Sequence, residues 1–309
     1  MKTRITALLG IEHPIFQAAM SWASSNSALI IAVSNAGGLG VLAAGPMRPE
    51  DFRRALREIK AGTDKPYGVN IPLNNQRAPE LLQIALEEKI PVMVASQGGP
   101  REHLARFRSI GTKWLHVVAS VEHAKKAEAA GVDALVVDGA EAGGHPPPNQ
   151  VGTLVLVRRV VKAVKLPVVA SGGVADGAGI AALLALGAEA VQLGTRFIAT
   201  PEASVHENYK RAVLAADVHD TCLVGPAALP IRQLKNAFTQ KFQAAPAQER
   251  EALFKESSLK KAALEGDVEW GKVEAGQSAG LIDDILPAAD IMKRLVQELE
   301  QARKRLASL

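Results

Sequence analysis

The stretch DGAEAGGHPPPNQVG, Asp138 to Gly152, holds the residue best placed for proton chemistry. His145 follows Gly143 and Gly144 and precedes Pro146, Pro147 and Pro148. An imidazole titrates near neutral pH and serves as acid or base. Glycines let a backbone pass close to something else, and prolines fix a loop outside helix. The pattern points to a histidine aimed at a ligand; an incidental histidine on a surface turn is the plain alternative. Glu141 either orients His145 or caps the next turn.

Two glycine loops suit an anion. They read SGGVADG, Ser171 to Gly177, and LGTRFIAT, Leu193 to Thr200. Gly172 and Gly173 allow backbone N–H groups to approach a phosphate, and a helix starting near Gly177 would add its positive end. Gly194 supplies a further N–H and Thr195 a hydroxyl. Tight turns are the competing explanation. Other strand ends bring Ala18, Ala19 and Met20, then Asn70, then Ser96 and Gln97. Ala18, Ala19, Gly143 and Gly144 are small enough for a flat ring to lie against them, with Met20 packing on the ring or the core. Asn70 and Gln97 can hydrogen-bond a heterocycle. Small residues, amides and a phosphate site together suggest FMN more than a sugar phosphate, whose enzymes need a clear acid–base pair or a lysine at a strand end.

The elements that must position these residues follow a regular pattern. Eight apolar runs are predicted as strands, starting at Pro14, Gly38, Pro66, Pro91, Lys113, Gly131, Pro167 and Gly187. Each is short and apolar on both faces, as strands covered on both sides should be. Helical spacing lies between them, as in PEDFRRALREIKA from Pro49, acidic at its start and basic at its end. This alternation implies a parallel sheet, and eight near-equal units favour a closed (β/α)8 barrel over a doubly wound open sheet. In such a barrel the site lies at the carboxyl ends of the strands, with phosphate after strands seven and eight.

Residues 1–203 thus read as the barrel and 204–274 as a small helical subdomain without a clear strand, placed as a lid. Residues 275–309 return to the barrel and end in an amphipathic helix. Arg232 and Lys235, read as one helix IRQLKNAF, form a solvated face or a basic surface that steers an acidic cofactor or carrier.

Composition narrows the classes. The chain has 309 residues with 48% hydrophobic and 22% charged content, suited to a soluble enzyme. The net charge of +4 comes from scattered lysines and arginines, so nucleic acid is not an expected partner. The single cysteine, Cys222, offers neither a disulfide framework nor a cysteine metal site. The remaining histidines, His13, His103, His116, His123, His206 and His219, lack ligand spacing; they are read as structural or surface, and no metal is expected. The longest apolar stretch, Ala28 to Gly45, is broken by Ser34-Asn35 and Gly37-Gly38, so no membrane span is expected. The N-terminus lacks an apolar signal core, and a cytoplasmic location is expected.

HPIFQAAM, AVSNAGGLGVL, KPYGVNIPL, VVASVEHAKKAEAAGVDALVVDGAEAGGH, VVASGGVADGAGIAALLALGAEAVQLGTRFIAT and VEAGQSAGLI resemble the nitronate monooxygenase family, formerly 2-nitropropane dioxygenases. The superfamily also holds flavin-dependent enoyl-ACP reductases and NADH:quinone reductases. The resemblance covers nearly the whole chain. It implies FMN, a barrel with a small extra domain, and an active-site histidine that falls on His145. SVHENYKRAVLAAD and HVVASVEHAKKAE look closer to the enoyl reductase branch. That branch carries a glycine and a lysine soon after the histidine, where this chain has PPPNQ. Some quinone reductase relatives carry a lysine near the end of strand five, where this chain has Val117.

The leading expectation is an FMN-dependent enzyme that oxidises alkyl nitronates with dioxygen. The alternative is reduction of enoyl thioesters or quinones with NADH or NADPH, and only that alternative brings in an acyl carrier protein. A non-redox phosphate-binding barrel, such as an isomerase, is a third class. The substrate is a small molecule in each case, and a homodimer is left open.

Overall fold

The computed structural model describes residues 1–308. A short helix, α1 (Arg4–Leu9), precedes β1 (Ile15–Gln17). There follow α2 (Ser27–Asn35), β2 (Leu39–Ala43), α3 (Pro49–Gly62), β3 (Gly68–Pro72), α4 (Ala78–Glu87) and β4 (Val92–Ser96). The second half adds α5 (Arg101–Arg108), β5 (Lys113–Val118), α6 (Val121–Ala130), β6 (Ala134–Asp138), α7 (Thr153–Val161), β7 (Val168–Ser171), α8 (Gly177–Ala185) and β8 (Ala190–Leu193).

The eight strands are parallel and close into a barrel in sequence order. Phe16 of β1 pairs with Leu39 of β2, and Ile15 pairs with Val191 of β8, which closes the ring. The expected (β/α)8 barrel is therefore the architecture observed. Local chemistry explains the helices between strands. In α3, Pro49 opens the first turn, Glu50 and Asp51 lie at the positive end and Lys60 at the negative end. Its buried residues Phe52, Ala55, Leu56 and Ile59 recur at helical spacing and face the barrel.

Strand alternation decides what fills the interior. Phe16, Leu39, Val41, Val92, Val94, Leu115, Ala134, Val136, Val169 and Ala190 point inward as one packed cluster. Ile5 and Leu9 of α1 join it and plug the end below the strand starts. Two residues further along several strands, the inward position is polar or small: Ala18, Asn70, Ser96, Asp138, Ser171 and Gln192. The sequence thus builds an apolar plug under a polar ring.

After β8 come α9 (Thr195–Ile198), α10 (Glu207–Ala215), β9 (Thr221–Val224), β10 (Ile231–Leu234), α11 (Ala237–Ala244), α12 (Arg250–Glu256) and α13 (Leu259–Ala263). A 3-10 turn (Gln277–Leu281) and α14 (Ala288–Ala307) complete the chain. The expectation of no strand in this region is corrected: β9 and β10 form a two-stranded antiparallel sheet, with Arg232 opposite Leu223. IRQL carries apolar residues at i and i+3, which imitates a helical turn over four residues. The pairing with TCLV overrides that local signal. Cys222, Val224, Ile231, Phe238, Phe242 and Leu253 make a separate hydrophobic cluster beneath the hairpin.

Candidate active site

The polar ring opens into a cavity of about 490 Å³, within the usual range for small-molecule sites. Its wall includes Ala18, Ala19, Met20, Asn70, Val117, Gly143, Gly144, His145, Ser171, Gly172, Gly173, Gly194 and Thr195. The residues named in the sequence as catalytic or flavin-binding therefore meet at one mouth, at the carboxyl ends of the strands, while Arg232 and Lys235 do not line it.

The two glycine loops present free donors. Gly172 and Gly173 have φ of 103° and 74°, the left-handed region in which glycine alone is unstrained. Neither residue's backbone N–H, nor that of Gly194, donates to an acceptor among the described residues. The Thr195 hydroxyl accepts from the Gly276 N–H at 2.9 Å and keeps its own proton to give. A set of unpartnered donors on one wall is the chemistry of an anion site. The expected contribution of the α8 N-terminus is corrected: Asp176 takes the Gly179 N–H at 2.7 Å and Glu298 of α14 takes the Gly177 N–H at 2.8 Å. Protein carboxylates already meet that positive end.

The ring of amides and carboxyls is partly committed. The Asn70 side-chain nitrogen donates to Val94 O at 2.7 Å and to Ser96 Oγ at 3.2 Å, leaving its carbonyl oxygen for the cavity. Gln192 donates to Ser171 Oγ at 3.2 Å. Asp138, read in the sequence only as the end of β6, points into the mouth. Enclosure there pushes its carboxyl up to about 6, against a hydrogen bond from Ser171 and with a small push from Glu141. Inward alternation from Ala134 and Val136 is the signal that identifies it.

The His145 loop is pinned from three sides. Gly143 is a glycine because the Ala275-Gly276 segment crosses it: a Cβ there would sit 2.6 Å from the Ala275 carbonyl carbon. Glu141 does not reach His145. Its carboxylate accepts from the Thr153 N–H at 2.8 Å and the Thr153 hydroxyl at 2.7 Å, capping α7, whose own cap residue Gly152 has no side chain. Of the two roles open in the sequence, the cap is the one formed. Pro146 and Pro147 are buried, and Gln150 bonds back to Pro147 O.

Arg232 is the largest departure from the sequence reading. It is a buried residue of β10, not the exposed face of a helix. Its guanidinium donates to Ala140 O at 2.9 Å, Thr221 Oγ1 at 3.0 Å and Gln150 Oε1 at 3.1 Å. Its backbone pairs with Gly144.

His145 itself is exposed at the mouth of the cavity, whose walls enclose it on the protein side. That enclosure, with the nearby Lys272 cation, lowers its pKa, so the imidazole is neutral at pH 7. His123, grouped in the sequence with the structural or surface histidines, also reaches the cavity wall. Tyr209, Leu229, Leu259 and Glu274 also line the cavity. They arrive from remote segments, and no local motif marks them.

Among the described residues no cluster of His, Cys, Asp and Glu is arranged to hold a metal ion, and no helix is long and apolar enough to cross a membrane.

The family model for nitronate monooxygenase matches residues 2–298. A nitronate monooxygenase of Pseudomonas aeruginosa is 36% identical, over 97% of this chain and 99% of that protein. Among solved structures, FabK from Thermotoga maritima is 43% identical, covers 100% of this chain and 99% of its own, and superposes with a TM-score of 0.93. A nitroalkane oxidase from Streptomyces ansochromogenes is 32% identical, over 98% and 100% of the two chains, with a TM-score of 0.85.

Proposed function

The chain belongs to the nitronate monooxygenase family of oxidoreductases, and from that premise we propose that it is an FMN-dependent enzyme that oxidises alkyl nitronates with dioxygen. The observation that carries this reading is the meeting, in one cavity, of the unpartnered Gly172, Gly173 and Gly194 donors with a loop-held His145.

The residues present fit FMN. The glycine N–H groups and the Thr195 hydroxyl would hold its phosphate. Ala18, Ala19 and Gly144 leave room for a ring, and the free Asn70 carbonyl oxygen suits a ring N–H. When bound, the flavin supplies the electron-accepting chemistry. The chain's own part is to orient the substrate, exclude water and manage protons. His145, neutral at pH 7, removes the α-proton of a neutral nitroalkane and holds it on the imidazole; a nitronate arrives without that proton.

A second reading has its own support. The 43% identity and near-complete coverage with FabK, together with SVHENYKRAVLAAD, favour an NADH- or NADPH-dependent reductase of enoyl thioesters or quinones on the same site. There His145 would give a proton instead of taking one. Anaerobic mixing of the FMN-loaded protein with NADH or NADPH separates the two. No bleaching, with oxygen uptake on propyl-1-nitronate, supports nitronate oxidation. Rapid bleaching without oxygen uptake on the nitronate supports the reductase. A protein that takes up no FMN removes both readings and points to a non-redox barrel.

A further inference from the structure

Glu274 stands on the segment that runs past the His145 loop into the 3-10 turn. Its side chain is on the cavity wall. One carboxyl oxygen lies 3.3 Å from where a side chain on Gly144 would begin, so the group packs against the residue before His145. Its backbone is tied down: the N–H donates to Lys272 O at 3.1 Å, and the carbonyl accepts from the Tyr209 hydroxyl at 2.8 Å. The carboxyl oxygens, in contrast, receive no hydrogen bond from any described residue.

The facing groups are otherwise engaged. Lys272, on the same segment, donates to Phe254 O at 3.0 Å and lies 3.3 Å from the centre of the Phe254 ring. Tyr209, from α10, has committed its hydroxyl to the Glu274 carbonyl. His145 faces the cavity from the loop after β6. The Glu274 side chain is only partly buried. A carboxyl that lines a cavity with no protein donor is free to meet a ligand there.

We propose that Glu274 is a substrate-binding residue: as a carboxylic acid it donates its O–H to a substrate oxygen, the anionic oxygen of a nitronate or the carbonyl oxygen of a thioester, while His145 serves the adjacent carbon. This rests on the reading that the cavity takes such a substrate. Burial supports it, raising the carboxyl to about 7 against the pull of Lys272, so the acid form persists near neutral pH. An O–H donor to an anion is strong in an enclosed site, whereas the ionised carboxylate would repel the same anion. No covalent bond changes in this contact. Its consequence is a pH limit on anion binding.

The test is calorimetric titration of sodium nitrite into the FMN-loaded wild type, Glu274→Gln and Glu274→Leu between pH 6 and 8.5. Nitrite stays anionic throughout. In the wild type Kd should rise about tenfold per pH unit once the carboxyl ionises. Glu274→Gln keeps a donor that does not titrate, so its Kd should rise only as Lys272, lowered to about 8, loses its charge, a slope that a Lys272→Met copy of each protein removes. Glu274→Leu should follow the same course but bind about 10- to 100-fold more weakly than the wild type at pH 6, as expected on losing a hydrogen bond to a charged group. FMN content and melting curves check that both variants fold. A Gln variant with the wild-type pH slope overturns the proposal, as does a Leu variant that binds as tightly as Gln, or a wild type that binds no nitrite at pH 6. A second arm measures KM of Glu274→Leu for propyl-1-nitronate and for a crotonyl thioester; the substrate whose KM rises identifies the oxygen held. If neither is turned over, the functional reading fails, while the nitrite titration still upholds or overturns the role of Glu274.

Discussion

Gly144 and Arg232 exchange two backbone hydrogen bonds, Gly144 N–H to Arg232 O at 3.1 Å and Arg232 N–H to Gly144 O at 2.7 Å. This bridge fastens the loop of His145 to the β9–β10 hairpin. The Arg232 side chain continues the same work by holding Ala140 at one end of the loop and Gln150 at the other. The position of the imidazole therefore depends on a strand far along the chain.

Arg232→Met should loosen that loop without touching the cavity's ring of residues. The guanidinium's burial lowers its pKa, and its removal leaves Ala140 O and Gln150 Oε1 without their donor. Losing such charged hydrogen bonds should destabilise the fold by about 2–3 kcal/mol. A displacement of His145 of the order of 1 Å should lower kcat about 100-fold. FMN content should stay near that of the wild type, because the phosphate loops lie elsewhere. A melting curve, an FMN assay and kcat on one sample decide it. Unchanged kcat with a lowered Tm would make Arg232 structural only.

Gly173→Asp should abolish FMN retention. The carboxylate would enter the anion site and repel phosphate. Gly173 has φ of 74°, and a Cβ there lies 3.1 Å from Glu141 Cβ, so any side chain brings strain. Gly173→Ala is the needed control, since it carries the strain without the charge. The expected order of FMN per protein, by absorbance, is wild type, then Ala, then Asp near zero. Stoichiometric FMN in the Asp variant would move the phosphate site away from this loop.

The barrel is legible in the sequence because its strands carry two signals at once. Proline or glycine starts most of them, and each is an apolar run too short for a helix, as in PVVAS before Gly172. The loops at their ends then fall into place by the geometry of the fold, which is how Gly172, Gly194 and His145 gather at one mouth from sequence alone. Alternation within β6 also encodes the inward aim of Asp138, but the glycine loop that follows it carries the louder signal. The rest is hidden for a physical reason. Arg232, Glu274 and Tyr209 come from segments whose local pattern is short or mixed. Their placement is set by pairing across the chain: IRQL against TCLV, and Gly276 against Gly143. A four-residue strand buried with Arg232 and Gln233 inside it violates the apolar pattern that sequence reading depends on.

Asp138→Asn should stabilise the FMN-free protein at alkaline pH. A carboxyl raised to about 6 from an ordinary value of 3.8 is disfavoured as an anion in the folded state. Folding therefore suffers no penalty below the unfolded value, and stability falls as pH rises from there through the folded value. An amide does not ionise and escapes the loss. The Tm difference, variant minus wild type, should be larger at pH 8 than at pH 4. A difference independent of pH would show that Asp138 is freely solvated at the mouth.

His145 is the last group to test, and its protonation gives the test its sign. Enclosure and the Lys272 cation both disfavour imidazolium, so the base form already dominates at pH 7. A rate that needs His145 as a base should be level at pH 7 and above, and fall as pH drops through the lowered pKa. Lys272→Met removes the neighbouring charge, so the fall should begin at higher pH. This comparison belongs in the Glu274→Gln background, where that carboxyl no longer titrates. His145→Ala should fold, keep FMN, and lose about 10²–10⁴-fold on a neutral nitroalkane. On the corresponding nitronate, which has already given up its proton, the loss should be much smaller. Steady-state rates on the two forms, measured side by side across pH, decide between roles. An unchanged nitroalkane rate removes His145 from proton transfer. Equal losses on both forms make it a substrate-binding group, and loss of FMN assigns it to the cofactor.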